Sequence, residues 1–460
     1  MLQEAIDVGL KVLERFGEKF PSSRPREASS LHALSEPMKI RRKLSWKTKS
    51  QLLDLPDMNH PDKVAAMGIL NLLTTYSMIG RPSLFPYIAA RLVKLSLSYG
   101  LCAISAPGFA FYGVWLCSIG DTSNGYKYGQ LALDVLDRYE STITEWVPRV
   151  YSVFYGMIAH WRQPLSSTLE PTLHAHRIGL ETGDIEYAMI GAHVYSMNAF
   201  MSGEPLPALE GKMKKYVELM NTYKQGPWAA ATSVQLQMIH NLMGRASNPL
   251  VLRGEIMTDD KVREVATVRD MESYESYFVQ VMVWRLLLAY HFGNLELALS
   301  IASESRQAIN GLGSFLVSVH CFYDGLTALL AASHTRYQDK RRVHLSVARK
   351  ALKKLRMLGR HCSENCKNKI CLLEAEFAAS RGDVDKAVML YNKSISLAQK
   401  EGFIHEEALA HERAGTTLQS ALYGKQCLLY LHKALHLYQE WGAIAKVDHM
   451  QKNFQMPRRR

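Results

Sequence analysis

Three stretches, Gly183-Asp184-Ile185-Glu186-Tyr187-Ala188, Gly293-Asn294-Leu295-Glu296-Leu297-Ala298 and Gly382-Asp383-Val384-Asp385-Lys386-Ala387, share one pattern: Gly, Asp or Asn, aliphatic, acid, any residue, Ala. Each position has a physical reason. Gly takes up the left-handed backbone that closes a preceding helix. Asp or Asn caps the next helix by accepting a hydrogen bond from an otherwise unpaired N–H, at about 1 kcal/mol each. The acid in the first turn faces the positive end of the helix dipole. Ala lets the two helices of a pair approach closely. The pattern is a helix–turn–helix joint, used three times.

Working outward, both sides of such joints read as helix. Val384, Ala387, Val388, Tyr391, Ile395 and Ala398 fall on one face of 384–400, with Asp385, Lys386, Asn392, Lys393 and Lys400 away from it. Leu428, Leu431, Leu435, Tyr438 and Trp441 stripe 428–441 before Gly442, and Ile370, Leu373 and Phe377 stripe 369–380. The joints start 110 and 89 residues apart, and Gly402 and Gly442 are 40 apart. Units of roughly 37 to 44 residues fit these steps. Strand signals are nearly absent. The expected fold is all-α, a tetratricopeptide-like α-solenoid of irregular antiparallel helix pairs.

The organisation expected from this reading is a first helix over 1–20, a basic and partly mobile connection over 21–54, N-terminal repeats over 55–250, C-terminal repeats over 251–455 and a basic tail over 456–460. Two stretches read as non-helical beyond turn length, Pro21 to about Lys49 and Asn248 to about Val262. Of the 460 residues 47% are hydrophobic, enough for an extensive core, and 21% are charged. The net charge is +12. Six basic side chains and no acid occupy residues 39–49, and the sequence ends Pro457-Arg458-Arg459-Arg460. A solvated linker and tail is the expectation for both; a nucleic-acid, acidic-membrane or nuclear-targeting patch is the alternative. Seven scattered cysteines and the absence of a signal-peptide pattern point to reduced thiols in the cytoplasm. Residues 95–120 carry no charge but are broken by Gly100, Pro107-Gly108 and Gly113, so two short buried helices are expected and no membrane span.

The ordered series AIDVGLKVLERFGEKFP (5–21), LPDMNHPDKVAAMGIL (55–70), LVKLSLSYG (92–100), GLETGDIEYA (179–188), FGNLELAL (292–299), FYDGLTALLA (322–331), FIHEEALAHERAG (403–415) and YQEWGAIAKVDHM (438–450) resembles a known region. It is similar to the long helical-repeat region of multidomain signalling proteins that join a serine/threonine-kinase-like domain, an AAA-type (STAND-like) ATPase, tetratricopeptide-like repeats, a GAF domain and often a histidine kinase. The resemblance implies a repeat fold and protein partners, an ATPase or kinase domain among them. The catalytic domains of that family lie outside the matching stretches. The chain is therefore expected to be either a free-standing repeat protein or a piece of a larger one.

No catalytic constellation is legible. Gly424-Lys425-Gln426 and Gly211-Lys212-Met213 lack the upstream Gly and the hydroxyl of a phosphate loop, and Gly311-Leu312-Gly313 opens no dinucleotide fingerprint. Val268-Arg269-Asp270 lacks the His and downstream Asn of a kinase catalytic loop. His405 and His411 stand six residues apart, about 240° around a helix, so they read as solvated helix residues that share no metal. His361, Cys362, Cys366 and Cys371 read as a small-thiol cluster rather than a metal site. Glu374 and Glu376 point to different helix faces. The stripe Tyr274, Tyr277 and Trp284 reads as core rather than as a base-stacking platform. No cofactor or metal is expected and nucleic acid is an unlikely partner. The expected function is that of a non-enzymatic scaffold binding other protein along a concave groove.

Overall fold

A computed structural model of the chain describes residues 2–20, 35–139, 143–258, 274–309, 314–421 and 424–454. Every regular element among them is a helix, and the only β feature is an isolated bridge between Asp57 and Leu101. The protein is an all-α helical repeat of irregular antiparallel pairs, and its described residues divide into two compact units.

Unit 1 takes in the described residues of 1–159, 170–191 and 267–276. It contains α1 (Leu2–Arg15), α2 (Ser35–Ser45), α3 (Lys49–Leu53), α4 (Pro61–Gly80), α5 (Phe85–Tyr99), α6 (Ser105–Ser118), α7 (Thr122–Arg138) and α8 (Ile143–Met157), most of α9 (Leu169–Thr182) and the start of α10 (Ile185–Met201). The uncharged run of 95–120 is divided between α5 and α6. Gly100, at φ +99°, ends the first, while Pro107-Gly108 and Gly113 lie inside the second. Pro107 is tolerated in the first turn, where its missing N–H has no helical partner. Residues 105–117 of α6 are all buried. They can be, because α6 meets α7 almost backbone to backbone: a Cβ placed on Gly113 would lie 2.7 Å from the Gly125 carbonyl oxygen. Any side chain there would force the helices apart.

The stretch read as a non-helical connection over 21–49 is corrected in its second half. Ser35–Ser45 and Lys49–Leu53 are helices, while 21–34 lie outside the described residues. The cause is tertiary. Arg91 of α5 grips Glu36 at 2.9 and 3.0 Å, and Ile40 and Leu44 are buried against the unit. Thr48 and Gln51 then form a reciprocal capping box that starts the next helix. The basic residues of 39–49 are partly paired within unit 1, Arg41 with Asp121 at 2.6 Å and Lys49 with Asp134 at 2.5 Å.

Unit 2 takes in the described residues of 160–169, 192–266 and 277–460. Its helices are the end of α10, then α11 (Leu206–Thr222), α12 (Gly226–Leu242), α13 (Tyr274–His291), α14 (Leu295–Ala308), α15 (Leu316–His334), α16 (Gln338–Leu358), α17 (Lys367–Ala379), α18 (Val384–Lys400), α19 (Ile404–Ser420), α20 (Gly424–Trp441) and α21 (Ile444–Asn453). Residues 248–258 are non-helical as expected, and 259–262 lie outside the described residues. Two side chains of α12 hold this loop. Asn241 donates to the carbonyls of Pro249 and Val251, and Gln237 accepts from the N–H groups of Ile256 and Met257. Among the described residues one helix, α15, is long and apolar enough to cross a bilayer, and 89% of its apolar window is buried inside the protein.

Helix pairing in unit 2 sorts its members into two kinds. α15, α17 and α19 are inner helices, buried around most of their circumference. α14, α16, α18 and α20 are outer helices that bury one face. In α18 the buried face carries Ala387, Leu390, Tyr391, Ser394 and Ala398, close to the stripe expected. In α20 the register differs from the expected one: Leu428 is 45% exposed, and Cys427, Leu431, Ala434, Tyr438 and Trp441 form the buried row. Cys427 and Leu428 both satisfy a helical period with Leu431, and only packing distinguishes them.

Candidate interaction surface

The joints are geometrically alike. Gly183, Gly293 and Gly382 have φ of +81°, +72° and +79°. After Gly293 and Gly382 the next N–H, of Asn294 and Asp383, returns to the carbonyls of Ala289 and Ala378 in the two-bond closure of a left-handed helix end. Asn294 and Asp383 then cap the following helices, accepting from Leu297 N–H at 3.1 Å and Lys386 N–H at 3.2 Å. Asp184 is held by the Arg149 guanidinium at 2.8 Å. Ala188, Ala298 and Ala387 are each fully buried. At Ala188 the close approach is direct, because a Cβ on Gly179 would sit 2.8 Å from the alanine methyl. Gly402 and Gly442 close helices in the same way.

The inner helices of unit 2 are joined to one another through buried ions. Lys369 of α17, 1% exposed, pairs with Glu406 of α19 at 2.8 Å, donates to the Asn365 carbonyl at 2.9 Å, and lies over the Phe403 ring at 4.5 Å. Arg413 binds Glu376 through two bonds of 2.8 and 2.9 Å, with the Tyr391 hydroxyl donating to the same carboxylate at 2.7 Å. Lys446 of α21 pairs with Glu412 at 2.7 Å and donates to the His291 carbonyl at 2.5 Å. The last helices also meet the first part of the unit. Trp441 Nε1 donates to the Glu204 carbonyl at 3.1 Å, and Gly203 abuts the Gly402 carbonyl. The ions in this interior are paired across neighbouring helices, where they fix register rather than face solvent.

His405 corrects the expectation of a solvated residue. It is buried, stacked on Trp441 at 5.1 Å between ring centroids, and burial holds its imidazole down at about 4. His411 is half-buried and likewise lowered by burial to about 4. Both rings are neutral at neutral pH. Cys362, Cys366 and Cys371 are buried and their thiols raised by burial, Cys362 to about 12, so the thiolate form is suppressed. His361 is exposed beside them. Glu374 pairs outward with Arg356 at 2.6 Å and Glu376 inward with Arg413, so the two do point to different faces. Trp284 is buried core; the side chains of Tyr274 and Tyr277 lie outside the described residues, as do Val268-Arg269-Asp270 and Gly311-Leu312-Gly313.

Two solvent-facing features stand out. In unit 1 a cleft of about 400 Å³ opens beside Glu18, Lys63, Arg91 and Lys94. Burial alone would raise the Glu18 carboxyl, but Lys63 at 2.7 Å and Arg91 at 2.8 Å bring it below its ordinary value. Arg91 also holds Glu36, so the cleft's cations are largely neutralised from within. In unit 2 the outer helix α16 and its flanks are different. Residues 336–360 hold ten Lys or Arg and one acid, Asp339, a net charge of +9. Arg342, Arg349, Lys350, Lys353 and Arg356 are exposed. The segment 336–360 carries more net positive charge than 39–49, yet it gives no sign in sequence of which of its cations face solvent. A count of charge in a sliding helical window finds the segment.

No family model matches the chain, and no curated protein matches it. Among solved structures it is similar to one described as a circular tandem repeat protein with novel repeat topology and enhanced subunit contact surfaces. The match is 12% identical, covers 99% of this chain and 97% of that one, and has a TM-score of 0.16.

Proposed function

We propose that this chain is a non-enzymatic helical-repeat scaffold of the cytoplasm that binds other protein and regulates a signalling partner, an ATPase or kinase domain being the class its resemblance implies. The observation that carries this reading is the sorting of helices in unit 2. Inner helices buried around most of their surface hold the array together, while outer helices keep one face in solvent for a partner. The interior chemistry supports it. Glu376, Glu406 and Glu412 are closed in ion pairs, the buried thiols are held protonated, and the buried imidazoles are neutral. Such groups position helices; a catalytic group needs access and a pKa matched to its task. The partner surface that the exposed cationic helix favours is an outer face of the array.

Two measurements test the reading. Purified full-length protein is expected to show no magnesium-dependent ATP turnover, and turnover that co-purifies with the chain through successive columns would overturn the non-enzymatic part. Proximity labelling in cells expressing the full chain is expected to enrich ATPase or kinase proteins in the cytoplasm. Enrichment of no protein over a control would overturn the scaffold part.

A further inference from the structure

Along α16 two rows of side chains run side by side at helical spacing. One is cationic: Arg342, Ser346, Arg349, Lys353 and Arg356, exposed throughout. The adjacent row is mixed: Val343, Val347, Lys350, Lys354 and Met357, with Val343 61% and Met357 50% exposed. From Arg342 to Arg356 the rows span roughly 21 Å at about 1.5 Å per residue. Arg349, Lys350 and Lys353 make no ion pair among the described residues, while Arg342 reaches Asp339 only at 3.7 Å. The opposite face is fixed, because Ala348, Ala351, Leu352 and Leu355 are buried. The helix is thus anchored; Arg356 at its end is paired with Glu374 at 2.6 Å, and the cations of the outer face with no ion pair among the described residues are Arg349, Lys350 and Lys353.

We propose that this outer face of α16 docks an acidic amphipathic protein helix, whose carboxylates meet the cationic row and whose apolar side chains cover Val343 and Met357. The inference rests on the scaffold reading and names its partner chemistry. Charge complementarity requires an acidic occupant. The interleaved apolar groups select among acidic occupants. A phosphate backbone would satisfy the cations yet leave Val343 and Met357 uncovered, since its contacts are ionic. An anionic bilayer needs a continuous apolar face to enter, and the exposed apolar side chains of this row, Val343 and Met357, stand fourteen residues apart with Lys350 and Lys354 between them. A protein helix presents carboxylates and apolar groups on adjacent rows at the same period.

The test uses full-length protein and a fluorescein-labelled peptide of about three Glu-Leu-Glu-Ala-Leu-Glu-Glu repeats, read by anisotropy at roughly 50 and 150 mM salt. The comparators are the same peptide with Gln for Glu, a duplex DNA oligonucleotide, and phosphatidylserine-containing vesicles. Expected is saturable binding of the acidic peptide, weakened by salt and absent for the Gln peptide. Arg349→Glu with Lys353→Glu should weaken it at least about tenfold, and the neutral pair Arg349→Gln with Lys353→Gln should weaken it less. Val343→Ser with Met357→Ser should reduce peptide binding severalfold and leave any DNA binding unchanged. All four positions are exposed, so an unaltered far-ultraviolet spectrum is expected in each variant. Failure of the peptide to bind, indifference to the Arg349 and Lys353 reversals, or tighter binding of DNA or vesicles than of the peptide at the higher salt would each overturn the proposal. Labelled partners retained by the Arg349→Glu, Lys353→Glu protein would also overturn docking on α16 while leaving the scaffold reading intact; the scaffold reading fails only if no partner is found.

Discussion

The two units solve the same packing problem with different materials. Unit 1 brings α6 and α7 together through glycines and surrounds them with apolar side chains, so α6 is buried over 105–117 without a single charge. Its ionic cluster of Glu18, Lys63, Arg91 and Glu36 ties the segment following α1 to α2, α4 and α5. Unit 2 places ions and imidazoles in its interior. Lys369–Glu406 and Arg413–Glu376 link α17 to α19, Lys446–Glu412 links α21 to α19, and His160, His193, His291, His320 and His405 are buried in the same unit. Close glycine contact gives tight, chemically inert packing. A buried polar network gives register at a cost in desolvation, and it makes the unit sensitive to any change that leaves a charge unpaired.

The sharpest way to break this contrast is Glu406→Ala. It leaves the ammonium of Lys369, 1% exposed, without its carboxylate, and is expected to cost about 3–5 kcal/mol in urea unfolding of unit 2. Replacing both partners, Lys369→Met with Glu406→Gln, should recover most of that loss. If the double variant is as unstable as the single one, the pair is not what makes the site sensitive. Next comes Ala387→Glu, several kcal/mol, because a carboxylate would be buried without a partner at a helix contact that is fully closed. Lys386→Glu, one residue away and exposed, should stay within about 0.5 kcal/mol. Equal mild effects on thermal melting would remove Ala387 from the helix interface.

Gly113→Val probes unit 1 in the corresponding way. Its Cβ would press on the Gly125 carbonyl and on Ile158, and a loss of about 1–3 kcal/mol is expected. Hydrogen exchange should register that loss over 85–138 with little change over 367–420. A loss spread evenly over both regions would mean the units do not respond separately. Smallest is Asp383→Ala, which removes one helix cap and should cost about 1 kcal/mol, confined to α18. Faster exchange in helices beyond its immediate neighbours would contradict that local role.

How much of this was legible in sequence follows from the range of the forces involved. The joints at Gly183, Gly293 and Gly382 could be read because a left-handed glycine and a capping Asp or Asn act within six residues. The helix over 35–45 could not, since it depends on Glu36 reaching Arg91, fifty-five residues later. The burial of Lys369 is hidden from local sequence for the same reason, with its partner Glu406 on another helix. His405 looked solvated because its period matched no metal partner, and nothing local revealed Trp441 waiting to stack on it. The basic face of α16 was visible in the charge pattern but not its exposure, which depends on what else packs there.

The contrast between the units is tested most directly by residue-resolved hydrogen exchange as pH is lowered. A buried imidazole held below its ordinary value binds its proton less readily when folded than when unfolded. Between its unfolded value near 6.5 and its folded value, the unfolded state therefore holds more protons, and stability falls as pH falls. His193, His320 and His405, each lowered by burial to about 4, place that window in unit 2 between about pH 6.5 and 4. In unit 1 His176 is the one buried histidine among the described residues. The ionic cluster of unit 1 responds lower down, because Glu18 and Glu36 are held below the ordinary carboxylate value of 4.5 and their contribution is lost only as pH falls beneath it. Expected, then, is a loss of protection in α13, α15, α17 and α19 between about pH 6.5 and 5 while α5 and α6 keep theirs. Simultaneous loss in both units, or loss in α5 and α6 first, would contradict the account.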